Sequence, residues 1–231
     1  MCIRDSHWTA PTEEARVMVQ QLQKRGIKTI AGLYLNQQGV QAMRSELNKE
    51  LAKTDIKILS DQTINPGEKD FRTAIAKAKE GNPDLYLVIF FTPELEILVK
   101  QMHEAAIDKP ITSIEAFSIS VEPKLYEGLW YVDAAEANDN FHQQFVKRFS
   151  KEPSFGAPNT YDAFNLIVQG YENAASPPGV KPENVNVVKA LHGIQGYDGV
   201  LGKLSIDEKG VVFSPAAVKT IKDGKPVVVI E

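Results

Sequence analysis

Short apolar runs alternate along the first half of the chain with segments whose apolar residues recur every third or fourth position. The first pattern predicts strands buried on both faces, and the second predicts helices with one face turned inward. Residues 12–24 carry Ala15, Val17, Met18, Val19 and Leu22 on a helical stripe, which Gly26 ends as a left-handed cap. A strand over 27–35 follows, then a helix over 38–52 through Met43, Leu47 and Leu51, and a second strand over 56–59. After the turn at Asn65-Pro66-Gly67, a helix carries Phe71, Ile75 and Ala78 inward and stops at Gly81-Asn82-Pro83. The continuous apolar run over 85–91 predicts the third strand. A helix over 93–106, a short strand over 111–114, a helical turn over 121–126 and a strand over 128–132 complete the series. This alternation predicts an α/β fold with a doubly wound parallel sheet, whose ligand sites form where strands end and helices begin.

Beyond Asp133 the pattern changes. Residues 133–140 are acidic and rich in small side chains, which predicts a linker. Helices are expected over 141–149, 159–174 and 183–191 with no strands between them, and they carry Phe141, Phe145, Phe149, Phe164, Ile167, Val168 and Tyr171. Apolar faces of that size need a sheet to cover. The remainder reads as antiparallel strands over 202–206, 211–213, 217–221 and 227–230. Asp223-Gly224 supplies the positive backbone angles that a tight hairpin needs. Neither acidic turn, at Asp207-Glu208-Lys209-Gly210 or Lys222-Asp223-Gly224-Lys225, has calcium-loop spacing.

Composition narrows the function classes. A chain of 231 residues with 43% hydrophobic content can bury one large core or two small ones. A net charge of −4 without clustered Lys and Arg argues against a nucleic-acid surface. No apolar run approaches the ~18 residues of a bilayer span, so no direct membrane insertion is expected. Cys2 is the single cysteine and cannot form an internal disulfide. It lies in residues 1–6, MCIRDS, which lack the charged-then-apolar layout of a secretory signal and resemble translated sequencing-adapter sequence. The natural protein is therefore expected to begin upstream. His7, His103, His142 and His192 pair with no cysteine or carboxylate at metal or nucleophile spacing and read as surface histidines. Gly196-Tyr197-Asp198-Gly199 is no phosphate loop. Neither an enzyme nor a cofactor is expected.

Several segments, in order, carry a family resemblance: residues 30–39, Asp70-Phe71, Asn82-Pro83-Asp84, Thr92-Pro93-Glu94, Tyr161-Asp162-Ala163, and the two acidic turns named above. Together they resemble the later two thirds of a type I periplasmic binding protein of the branched-chain amino-acid (Leu/Ile/Val) receptor family. The resemblance implies two α/β lobes joined by three crossovers that close on a solute. It divides the chain into a non-native leader at 1–7, the second lobe at 8–133, an incomplete returning part of the first lobe at 134–216, and the second lobe's last strands at 217–231. It also implies an amino acid or similar small polar solute, an ABC transporter permease as partner, and a periplasmic or extracellular location. The anchors for the solute's α-carboxylate would lie in the missing part of the first lobe. A ligand-sensing receptor or regulator of the same fold is the alternative, and an α/β enzyme the second.

The fold rule points to the loops after the strands, at 36–38, 91–92 and 115–118, and the resemblance selects the same places. It puts Glu115 against the ligand's ammonium group. A carboxylate taken from water needs such a partner, although a solvated loop acid or a helix-start charge would also suit Glu115. Phe91 and Thr92 fall where the family lines its site, while strand burial and a helix start would equally account for them. Gln38 stands where the family often has a tyrosine, and an amide there departs from a Leu/Ile/Val site. Phe117 and Phe155 complete the expected ligand contacts, with Phe155 one residue out of register. Tyr34 reads as core.

Overall fold

The computed structural model describes residues 9–154, 156–174, 177 and 179–229. The chain forms two units, Glu14–Asp133 with Ala216–Glu231, and Met1–Glu13 with Ala134–Pro215, so it passes between them three times.

In the larger unit, strands β1 (Thr29–Leu35), β2 (Lys57–Ile64), β3 (Leu85–Ile89) and β4 (Ile111–Thr112) form a parallel sheet in the order β2-β1-β3-β4. Strand β5 (Trp130–Ala134) follows β4 through the parallel bridge between Ile114 and Val132. Helix α1 (Pro11–Lys24) leads into β1, and α2 (Gln38–Leu51), α3 (Arg72–Lys79) and α4 (Glu94–Glu104) provide the crossovers. Every residue of β3 is buried, as expected of a central strand written as an unbroken apolar run. Its side chains join Met18 and Leu22 of α1, Leu47 of α2, Ile75 of α3 and Leu98 of α4 in one core. The Asp84 carboxylate ties strand starts together, accepting from the backbone N–H groups of Lys28 and Thr29 at 2.9 Å each.

Strand β2 runs further than its apolar residues indicate. Ser60, Asp61, Gln62 and Thr63 pair with Ala31 to Tyr34, and burial along β2 alternates. An edge strand needs apolar side chains on only one face, so polar residues extend it at little cost.

The smaller unit holds helices α5 (Asp139–Phe149), α6 (Ala157–Asn173) and α7 (Asn184–His192) and the antiparallel strands β6 (Tyr197–Gly199), β7 (Gly202–Ile206) and β8 (Val212–Phe213). The expected linker at 133–140 is shorter than its composition implied, because β5 continues to Ala134 and α5 begins at Asp139. Asn138 caps α5 by accepting from the Phe141 N–H at 2.9 Å. Gly170 lets α6 approach α7, since a Cβ there would stand 2.7 Å from the Leu191 side chain. A small core gathers Leu166, Ile194, Leu201, Leu204, Ile206 and Val212. At its edge the buried Asp162 carboxylate accepts from the Val200 and Leu201 N–H groups at 2.8 and 3.0 Å. Gly199, which sequence reading left outside any strand, makes room for it: a Cβ there would lie 2.6 Å from Asp162 Oδ2.

From the smaller unit the chain returns to add β9 (Ala216–Lys222) and β10 (Lys225–Val228), an antiparallel hairpin that extends the larger unit's sheet beside β5.

Candidate ligand-binding site

The order β2-β1-β3-β4 reverses direction between β1 and β3, so the loops after β1, β3 and β4 leave the same end of a parallel sheet. After β1, Asn36 is held by its amide bond to Asn65 Oδ1 at 2.9 Å, and Gln38 opens α2 with its side chain exposed. After β3, Phe91 packs partly against the core. Thr92 is exposed, precedes a cis peptide to Pro93, and donates its hydroxyl to Glu96 at 2.7 Å.

Glu96 itself is buried and gathers this end of α4. It accepts from Thr92 Oγ1 and Ser120 Oγ at 2.7 Å and from the Val121 N–H at 3.2 Å. Burial alone would raise its carboxyl, but these hydrogen bonds outweigh burial and hold it below the usual carboxylate range.

After β4 the backbone turns sharply at Glu115. Its φ of 62° and ψ of −38° place a residue with a Cβ in a region that costs of order 1–3 kcal/mol. The turn is held by the Glu115 N–H donating to the Val132 carbonyl at 2.7 Å and by the Ser118 N–H donating to the Glu115 carbonyl at 3.1 Å. The Glu115 side chain is left half-buried at the strand end. Beneath it Ser118 Oγ bonds to the Asp133 carboxylate and to the Tyr131 hydroxyl, the latter at 2.8 Å.

Phe117 departs from the sequence expectation. The 3-10 turn Ala116–Ile119 folds its ring into the larger unit, where it stacks on Tyr126 at 4.4 Å and meets Tyr131 at 5.4 Å, with 1% exposure. It supports the loop from below and is not presented to a solute. Phe155 lies outside the described residues. Tyr34 is core. The cavities of the smaller unit, about 570 Å³ beside Phe141, Phe145 and Tyr161 and about 330 Å³ beside Gln169 and Tyr197, are lined by none of the expected contacts.

Among the described residues no group of three His, Cys, Asp or Glu side chains is arranged to hold a metal ion, and no helix is long and apolar enough to cross a membrane. His103 and His142 are exposed, His142 pairing with Glu152 at 2.5 Å, whereas His192 is half-buried with Nε2 unpartnered.

In an open, doubly wound sheet a ligand is received where the strands end, and here that end carries a carboxylate on a strained turn. The sequence profile described as periplasmic binding protein matches residues 6–225, and the chain belongs to that family. It is 26% identical over 200 residues to the leucine-, isoleucine-, valine-, threonine- and alanine-binding protein of Pseudomonas aeruginosa, covering 79% of this chain and 50% of that one. The chain thus spans about half the length of the curated relatives it matches. Among solved structures it shares its fold with the leucine-binding protein LivK of Thermotoga maritima, at a TM-score of 0.82 and 18% identity over 96% of this chain and 65% of that one. It also shares it with the isoleucine-bound substrate-binding protein LivJ of Streptococcus pneumoniae, at 0.75 and 20% over 95% and 65%. These proteins are type I, branched-chain amino-acid binding proteins, which is the family and fold that the ordered motifs indicate.

Proposed function

We propose that the protein is an extracytoplasmic solute receptor that binds an amino acid or similar small polar molecule and delivers it to an ABC transporter permease. The family match, the amino-acid-binding relatives and a half-buried carboxylate at the end of β4 support this reading. Glu115 carries the argument. Its backbone is held in a costly conformation, and its half-buried side chain stands at the strand end, where a ligand ammonium group would meet it as a charge-assisted partner. Phe91 would offer a ring edge to the solute, and Gln38 and Thr92 would line the rim as hydrogen-bonding groups. Binding would act through lobe closure and without turnover, since a solute drives closure only by preferring the closed state.

Isothermal titration of the protein with a panel of L-amino acids tests the reading. With the residues upstream of this chain restored, saturable binding that falls at least about tenfold in Glu115→Gln is expected, in line with loss of a charge-assisted pair, whereas the 231 residues alone should bind weakly. Undiminished binding in that variant removes the ammonium role.

A further inference from the structure

Glu96 sits in the first turn of α4, where an acid ordinarily faces water and complements the helix dipole. Here it is buried, at 3% exposure. Its two oxygens serve different loops. Oε2 accepts from Thr92 Oγ1, in the loop after β3, at 2.7 Å. Oε1 accepts from Ser120 Oγ at 2.7 Å and from the Val121 N–H at 3.2 Å, both in the segment that follows the turn at Glu115. Ser120 Oγ in turn accepts from the Glu122 N–H at 3.0 Å, which leaves its proton for Glu96. One carboxylate therefore joins the two loops on which Thr92 and Glu115 stand.

The same bonds decide what Thr92 can offer. A hydroxyl has one proton to give and two lone pairs, and an ionised carboxylate only accepts. Burial pushes the Glu96 carboxyl up, but the bonds from Ser120 and Thr92 outweigh it and keep the group ionised. Thr92 is exposed at the strand end, so a group arriving there meets an oxygen whose one proton is already spent.

We propose that Glu96 is a positioning residue that turns the Thr92 hydroxyl proton inward, so that Thr92 Oγ1 accepts from a solute N–H group and offers nothing to a solute acceptor. Thr92 and Glu115 then present acceptors from two loops to one donor-rich headgroup, and a solute carboxylate finds no donor from either. Glu96 thereby sets specificity through Thr92 without meeting the solute itself. The proposal rests on Thr92 lining the site proposed above.

Glu96→Gln inverts the arrangement. Ser120 and Val121 bring two donors to one oxygen and Thr92 brings one, so the amide keeps its oxygen on the first pair and turns its NH₂ group to Thr92. Thr92 must then accept from that group and point its proton outward. With the upstream residues restored, titrations with the panel of L-amino acids compare the native protein, Thr92→Val, Glu96→Gln and the double variant. Each single change is expected to weaken binding at least about fivefold, whereas Glu96→Gln adds less than about twofold in the Thr92→Val background. Thr92→Ser, which keeps the hydroxyl, is expected to stay within about twofold of the native protein. Losses that multiply in the double variant, or a Thr92→Val that binds as before, overturn the proposal even where Glu115→Gln weakens binding. Coupled losses with undiminished binding in Glu115→Gln sustain it and remove only the ammonium role of Glu115. Absence of binding by every panel amino acid removes both. Without ligand, amide hydrogen exchange at Val121 is expected to quicken at least about tenfold in Glu96→Leu and to stay near native in Glu96→Gln. An unchanged rate in Glu96→Leu overturns the joining of the loops.

Discussion

The two units use the same helical periodicity to different ends. In the larger one, α1 to α4 lay their apolar stripes on a sheet, and Leu47, Leu87, Leu98 and Met102 show no exposure. In the smaller one, α5 and α6 carry stripes as apolar as these, yet Phe164 is 65% exposed, and Phe149, Tyr161, Ile167 and Tyr171 remain open as well. The difference teaches that periodicity specifies which face of a helix is apolar, while only a neighbouring layer of matching area turns that face into core.

The largest expected effect sharpens this contrast. Leu87→Ala should cost about 2–5 kcal/mol, as a deletion in the centre of a packed sheet, whereas Phe164→Ala should stay within about 0.5 kcal/mol. Equal costs by denaturant titration would mean that α6 is covered in solution. Next comes Asp162→Asn, expected to cost about 1–3 kcal/mol, because the amide keeps one acceptor and turns an NH₂ group towards the second backbone N–H. Since Asp162 holds only the smaller unit's core, its loss should appear as an earlier first transition with the larger unit's melting unmoved. A single shifted transition would break the separation of the two. The smallest effect concerns acid. Glu96 is held below its ordinary range, so it stabilises the larger unit above its unfolded value and that contribution fades as pH falls through the lower folded one. Glu96→Gln should make the larger unit's stability less sensitive to pH below about 5, read from urea midpoints.

The larger unit was legible because its signals are local. The unbroken run at β3 and the apolar stripes of α2 and α4 each suffice within a few residues. The tail of β2 and the three residues of β6 were not, since backbone pairing with a neighbour extends an edge strand through Ser60 to Thr63 and recruits Tyr197 to Gly199. The loops after β1, β3 and β4 followed from topology, but the direction of Phe117 did not, because a 3-10 turn shifts which side chain enters the core. The full burial of Glu14 was hidden by its company, as Thr12-Glu13-Glu14 reads like an ordinary solvated helix start. A signal existed nonetheless: Glu14, Met18 and Leu22 share the spacing of one helix face, which puts the acid on the buried side.

The returning hairpin of β9 and β10 has a bearing on how this protein can be cut. Strand β5 would end the sheet were β9 not laid beside it, and an uncovered edge of that kind recruits foreign strands. A gene fragment encoding residues 14–133 alone would therefore yield an aggregating product. Splicing residues 216–229 back after Asp133 through a short glycine bridge should restore a soluble half.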